Sequence, residues 1–343
     1  MTGQLTSILN TTSRSLSTSL RALPNAMRPG VSCAYLLCRA ADAISECAEL
    51  PRRERLDMLG DLAAFAAGGS PAPFLASCVR TAKLAVPQDC VPLRDMGLII
   101  NLFAKIPAHE QALCREALAE FCSGLETDLS YFGDGENGIK AFQTGDDLLA
   151  YCGRTGGAPA LFWTRMCELH GGLRESGELR SVAQDIGSAL QLCNILDSLP
   201  RDLKRGRCYL PLEDLKMANI TPAQMAAPES AARLRPVLWK WADRTVKLMG
   251  RSEQYLCAID ETQPALRMAF CGPAYWCMET LAAVLKKESP HTVPDKPETP
   301  RARIHFSITG MPAVLTTDAA YIKGFRLRRE TLLAGGPPAA LSH

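Results

Sequence analysis

The 343-residue sequence lacks the features of several common protein classes. Its formal net charge is only +2, whereas proteins that bind nucleic acid broadly carry a strong basic excess, so no nucleic acid partner is expected. No GxGxxG pattern follows a strand-like segment, and a dinucleotide-binding loop of that type is therefore not indicated. No apolar run approaches the roughly 18–20 residues that span a bilayer. We therefore expect no transmembrane segment and a cytoplasmic location.

The 14 cysteines include no Cys-x-x-Cys pair, which is the usual spacing of zinc sites and redox motifs. They are scattered along apolar stripes, and we interpret them as small core residues of a protein in a reducing compartment. Acidic residues are absent from the first 41 positions, which resembles a transit peptide in composition. Strand-like segments are few. Helical periodicity and 47% apolar residues predict one large all-α domain.

The segment Gln191–Asp214 combines potential metal ligands with a basic cluster. Asn194, Ser198 and Asp202 recur every fourth residue and share one helix face. Four cations lie in the same part of the segment, namely Arg201, Lys204, Arg205 and Arg207. Mg²⁺ prefers oxygen ligands and Arg binds phosphate in a bidentate manner, so the pattern predicts a site for a magnesium-bound diphosphate. Pro200 interrupts the segment, and we expect it to kink or break the last turn of the helix.

A second polar stripe lies near the N-terminus. Tyr35, Arg39, Asp42 and Glu46 are spaced at i, i+4, i+7 and i+11, which again places them on one helix face. Two carboxylate-bearing helices that lie far apart in sequence can face each other across a helical bundle and hold metal ions. This arrangement predicts a site that ionises an allylic diphosphate.

Three ordered segments resemble the squalene and phytoene synthases, and among these the bacterial squalene synthases most closely. The first begins at Ser13 and contains a Ser-Arg-Ser turn followed by the first acidic motif. The second begins at Tyr151 and reads YCGRTGGAPALFW. The third reads LQLCNILDSLPRDLKRGRCYLP and ends in a Gly-Arg-x-Tyr-x-Pro pattern. The resemblance covers the chain from Ser13 to about Leu285.

The resemblance implies an isoprenoid-synthase-like helical bundle with a central cavity. It also implies that two farnesyl diphosphates are joined head to head to presqualene diphosphate, which is then reduced to squalene with Mg²⁺ and NADPH as cofactors. By the same resemblance, Tyr35, Tyr151 and Arg39 are candidate catalytic residues. The candidate diphosphate-binding residues are Ser13, Arg14, Ser15, Arg39 and Arg207. The candidate metal ligands are Asp42, Glu46, Asn194, Ser198 and Asp202.

Two departures from the family pattern leave alternatives open. Glu46 stands where the family usually has Asp, and Asp197-Ser198 stands where it usually has Arg-Asp. Asn194, Ser198 and Asp202 also resemble the Asn-Ser-Glu metal triad of class I terpene cyclases. The alternatives are a terpene cyclase or single-step prenyl synthase that uses this triad, and a family member that has lost catalysis.

We expect three regions: a flexible leader over residues 1–12, a helical synthase domain over residues 13–287, and a Pro-rich extension over residues 288–343. The expected partner is a prenyl diphosphate. A monomer is favoured, and peripheral membrane contact is compatible with the release of an apolar product.

Overall fold

The computed structural model describes residues 8, 9, 20, 23–81, 91–135, 138–174, 176–287 and 317–334. Most of these residues are helical and very few lie in strands, which confirms the all-α prediction. They fall into two compact units, one comprising residues 1–131 with 158–180 and the other comprising residues 132–157 with 181–343. The expected boundaries after residues 12 and 287 stay a prediction. Ser13, Arg14 and Ser15 lie outside the described residues.

Among its described residues, the first unit is built mainly from seven α-helices. They are α1 (Arg28–Glu46), α2 (Arg52–Ala66), α3 (Ala72–Thr81), α4 (Val91–Arg94), α5 (Met96–Phe103), α6 (Ala108–Phe132) and α8 (Ala158–Leu169). Helix α1 begins with Pro29 in its first turn, where the missing N–H costs no helical hydrogen bond. Leu36, Leu37 and Ile44 are fully buried, so one face of α1 packs into the core of this unit.

The described part of the second unit contains the other helices and two short strands. They are β1 (Lys140–Ala141), α7 (Gly145–Cys152), a π-helix (Gly153–Gly157), α9 (Gly177–Lys204, which starts in the first unit), β2 (Arg207–Cys208) and α10 (Leu212–Met217). Two 3₁₀ turns (Pro222–Ala226 and Pro228–Ser230) lead to α11 (Ala231–Met249), α12 (Ser252–Cys257), α13 (Pro264–Lys286) and α14 (Asp318–Leu333).

The two strands pair in parallel, with Lys140 opposite Arg207 and Ala141 opposite Cys208. Gly206 precedes β2 with φ +74°, and a Cβ atom there would lie 2.5 Å from Gly135 Cα. Only glycine combines this backbone conformation with such a close approach. The glycine of the Gly-Arg-x-Tyr-x-Pro segment therefore has a structural reason to be there.

Helix α9 continues through Pro200, so the predicted break does not occur. Pro200 is buried, as are its neighbours Leu199 and Leu203. Packing on this apolar side outweighs the cost of roughly 3 kcal/mol that a proline imposes inside a helix. Asp202 therefore keeps the helical register predicted from the four-residue spacing.

Helix α13 bears on the prediction that the chain has no transmembrane segment. Among the described residues it is the one helix that is long and apolar enough to cross a membrane by length and composition. Buried residues make up 56% of its apolar window, as expected for a core helix. Arg267 and Glu279 interrupt this stretch, so a search for uninterrupted apolar runs does not find it.

The described cysteines are free thiols, and all except Cys38 and Cys257 are buried. Burial raises the pKa of the Cys33 and Cys208 thiols to about 12. Thiols with such high pKa values carry little thiolate at neutral pH and are poor nucleophiles. This agrees with the interpretation of the cysteines as core residues.

Candidate metal and diphosphate site

The polar stripe of α1 is present as predicted. Arg39 Nη1 lies 3.3 Å from Asp42 Oδ2, and the two side chains are 29% and 31% exposed. Tyr35 is partly exposed one turn before Arg39, and Glu46 is exposed at the end of the helix. The stripe therefore offers a guanidinium and two carboxylates next to one another.

Electrostatics make the Asp42 carboxyl group sensitive to a nearby cation. Burial raises its pKa to about 7, the Glu46 carboxylate adds to this increase, and Arg39 opposes it by charge and hydrogen bonding. A group with this pKa is only partly ionised at neutral pH. An added cation would favour the ionised form, so metal binding and deprotonation of Asp42 are expected to be coupled.

A buried arginine fixes the end of α1 behind this stripe. Arg55 Nη1 donates a 2.9 Å hydrogen bond to the Ser45 carbonyl oxygen, and Arg55 is 3% exposed. Ser45 Oγ in turn donates to the Asp42 carbonyl oxygen at 2.9 Å. The bond from Arg55 satisfies a carbonyl of the last turn, which has no i+4 partner within the helix. The backbone that carries Asp42 is consequently well supported.

The second stripe lies on α9. Asn194 is exposed, Asp202 is partly exposed, and Ser198 is buried with 9% of its surface exposed. Ser198 Oγ donates a hydrogen bond to Asp202 Oδ2 at 2.5 Å. The structure thus brings Ser198 and Asp202 into direct contact, one helical turn apart.

Asp197 takes part in a different interaction. Its Oδ1 lies 3.6 Å from Lys287 Nζ, and the two side chains are 34% and 28% exposed. Arg235 Nη2 donates to the Lys287 carbonyl oxygen at 3.2 Å. Asp197 therefore lies near a cation, Lys287, which directly follows α13. Its partner is 90 positions away in sequence, and no local pattern reveals the pair.

Arg207 lies in β2 and is only 7% exposed. Parallel pairing with β1 fixes its backbone, since Lys140 N donates to Gly206 O at 2.9 Å and Phe142 N donates to Cys208 O at 3.2 Å. The pairing restrains the backbone from which the Arg207 side chain extends. Its use in diphosphate binding stays a prediction.

An aromatic cluster surrounds Tyr151. Its ring stacks on that of Tyr209, with centroids 5.1 Å apart and an interplanar angle of 25°. Phe132 and Phe142 contact Tyr209 at centroid distances of 5.2 and 5.8 Å. Tyr209 was absent from the predicted site residues. The signal that could have identified it is its place in the Gly-Arg-x-Tyr-x-Pro segment directly after Arg207.

The small residues after Tyr151 form the π-helix and allow a close helix approach. A Cβ atom on Gly156 would lie 2.2 Å from the Gly187 carbonyl oxygen and 2.8 Å from Gln191 Cβ. The π-helix therefore packs directly against α9, one turn before Asn194. This contact couples the position of the Tyr151 segment to that of the Asn194 face within the second unit.

The oxygen donors fit Mg²⁺ in their chemistry. Within the described parts of the chain, no cluster of three or more His, Cys, Asp or Glu side chains could hold a metal ion. Mg²⁺ commonly binds through one or two protein carboxylates together with water and substrate phosphates, so it does not require such a cluster. Asp42 with Glu46 on α1, and Asn194 with Asp202 on α9, provide donor sets of that kind.

Comparison with known proteins identifies the family. The squalene/phytoene synthase family matches residues 9–305, which is most of the chain. The protein belongs to this family. This confirms the resemblance inferred from the three sequence segments. The family is one of prenyltransferases that normally use a divalent metal.

Individual relatives differ in their described products. A phytoene synthase of Daucus carota is 35% identical over 113 residues, which cover 31% of this chain and 28% of that protein. Presqualene diphosphate synthase of Zymomonas mobilis is 28% identical over 218 residues, which cover 62% of each chain. The chain thus spans less than two thirds of the length of these curated relatives.

A solved structure shows the same fold. The complex of TcSQS with the ligand E5700 has a TM-score of 0.76 at 18% identity, and the match covers 98% of this chain and 92% of that chain. The chain therefore has the helical fold of the isoprenoid synthases, as predicted.

Proposed function

We propose that the protein is a Mg²⁺-dependent prenyltransferase that joins two farnesyl diphosphates head to head to presqualene diphosphate and then squalene. The observation that carries this proposal is the contact between Arg39 and Asp42 on α1. It supports the proposal because a guanidinium suited to phosphate lies next to a carboxylate suited to a metal ion, in the segment that resembles the first acidic motif of the family.

The residues proposed to form the metal site are Asp42 and Glu46 on α1 and Asn194, Ser198 and Asp202 on α9. When bound, Mg²⁺ stabilises the negative charge that develops on a departing diphosphate. Arg39 and Arg207, with Ser13, Arg14 and Ser15, would hold the diphosphate oxygens. Fork-shaped guanidinium donors suit this role because they bind two oxygens of one phosphate at once.

Loss of diphosphate leaves an allylic cation, which needs protection from water and stabilisation by electron-rich groups. Aromatic faces attract cations through their quadrupole, and the buried Tyr151–Tyr209 stack offers such faces. Tyr35 and Tyr151 are the candidates for holding or moving a proton during the rearrangement. Hydride for the reductive step would come from NADPH, which enters the proposal through the family resemblance alone.

Product identification tests the proposal. The purified protein is incubated with C15 or C20 prenyl diphosphate and Mg²⁺, with and without NADPH, and the products are identified by mass spectrometry. We expect presqualene diphosphate from the C15 substrate without NADPH and squalene with it. A C40 product formed from the C20 substrate alone would instead support a phytoene synthase. Absence of any prenyl product would support the non-catalytic alternative.

A second candidate is a terpene cyclase or single-step prenyl synthase. The observation that favours it is the α9 face itself, where Asn194, Ser198 and Asp202 are aligned and the last two are in contact. A cyclase would convert one C15 diphosphate into a cyclic C15 product, with no dependence on NADPH. The same incubation separates this outcome from head-to-head condensation.

A further inference from the structure

The contact between Ser198 and Asp202 suggests a role for Ser198 other than metal ligation. Its Oγ lies 2.5 Å from Asp202 Oδ2, the shorter of its two contacts, and 3.4 Å from the Ile195 carbonyl oxygen. The residue is 9% exposed, whereas Asn194 on the same face is exposed. The serine is thus placed against the helix rather than extended toward solvent.

We propose that Ser198 is a positioning residue that orients the Asp202 carboxylate for metal binding and is not itself a metal ligand. This inference rests on the proposed function. A hydrogen bond from a neighbouring side chain to a ligating carboxylate fixes its orientation, and loss of such a bond typically weakens metal affinity by about 10-fold or more. A carboxylate offers about four lone-pair sites, so accepting this bond does not exclude metal coordination.

The adjacent residue explains how the altered motif is accommodated. Asp197, where the family usually has Arg, lies near Lys287, so its charge has a partner other than the metal. The α9 face then presents one carboxylate, at Asp202, whose orientation is restrained by Ser198. The hydroxyl stands where the family usually has a second carboxylate, and it supports the remaining one instead of replacing the lost ligand.

A double-mutant cycle measures whether Ser198 acts through Asp202. Mn²⁺ serves as the probe, and its binding to the full-length protein in the presence of inorganic pyrophosphate is followed by electron paramagnetic resonance. We expect Ser198→Ala to weaken Mn²⁺ binding by about 10-fold. Ser198→Thr keeps the hydroxyl and should restore binding to within about 3-fold of the wild type. In an Asp202→Ala background, Ser198→Ala should have less than about a 2-fold further effect.

A thiol substitution distinguishes positioning from ligation independently of that cycle. Soft thiolate ligands favour Cd²⁺ over Mn²⁺, so Ser198→Cys would shift selectivity toward Cd²⁺ if this side chain touched the metal. We expect Ser198→Cys and the wild type to have the same Cd²⁺/Mn²⁺ affinity ratio. The wild type is the control for Cd²⁺ binding by the other cysteines. A Cd²⁺ preference gained only by this variant would overturn the positioning role.

The outcomes separate this inference from the proposed function. Wild-type protein that binds no Mn²⁺, or Asp202→Ala that binds it as the wild type does, would contradict both the metal site and the role of Ser198. Weakened binding in Asp202→Ala together with normal binding in Ser198→Ala would overturn only the positioning role. Equal losses from Ser198→Ala in both backgrounds would show that the serine is a ligand.

Discussion

Reversal of the charge at Asp197 should destabilise the protein although it restores the family's usual arginine. Asp197 Oδ1 lies 3.6 Å from Lys287 Nζ, and both side chains are about one third exposed. Asp197→Arg removes an attraction and introduces a repulsion between two cations. Arg235, which donates to the Lys287 carbonyl, brings a third cation to the same area.

The expected magnitude follows from the exposure of the pair. Solvent-exposed ion pairs contribute about 0.2–1 kcal/mol, and like charges are unfavourable by similar amounts. Losing the pair and gaining repulsion should together cost about 1 kcal/mol. In a chain of this size that corresponds to a thermal midpoint lower by roughly 2 °C. Raising the salt concentration should reduce the difference, because exposed charges are screened.

Differential scanning fluorimetry can measure these midpoints, and the charge-swapped double variant is the control. Asp197→Arg with Lys287→Glu restores opposite charges and should recover most of the lost stability. The pairing would be refuted if the double variant were no more stable than Asp197→Arg alone. A gain in stability from Asp197→Arg by itself would also contradict it.

The remaining predictions concern the strand segment that follows α9. Arg207→Lys should lower kcat/KM for prenyl diphosphate by about 10-fold, because Lys loses the bidentate geometry, and unchanged kinetics would remove Arg207 from the site. Gly206→Ala should lower the free energy of unfolding by at least about 1–2 kcal/mol, because φ is +74° and a Cβ atom would lie 2.5 Å from Gly135 Cα. The control Gly60→Ala should show no such loss in thermal unfolding, because the space around Gly60 is open. In product assays, Tyr209→Phe should keep the wild-type kcat, whereas Tyr209→Leu should lower kcat by about 10-fold. Equal activity of the two variants would exclude a role for the aromatic face.

Local periodicity predicted the parts of the candidate site that depend on a single helix. The positions of Tyr35, Arg39 and Asp42 on α1 follow from their spacing, and so does the alignment of Ser198 with Asp202 on α9. These relations need only the geometry of an α-helix, which the sequence specifies directly.

Relations between distant segments could not be predicted in this way. Lys287 near Asp197 and Tyr209 against Tyr151 depend on how separate elements pack. At Pro200 a local preference gave the wrong prediction. Proline disfavours the interior of a helix, but burial in the core overrides this preference. Local preference and tertiary packing compete at such positions, and only the structure reveals which dominates.

Diphosphate release in a single turnover tests the central claim most directly. The enzyme is mixed in excess with C15 prenyl diphosphate and Mg²⁺, and the rate of pyrophosphate release is measured for Asp42→Asn, Asp202→Asn and the surface control Asp243→Asn. Asp243 pairs with Lys247 at an exposed position on α11. We predict that the first two variants lose at least about 100-fold in rate, since each removes a charged metal ligand, while the control matches the wild type. Wild-type rates in Asp42→Asn and Asp202→Asn, or undiminished release in the presence of a metal chelator, would contradict the metal-diphosphate account.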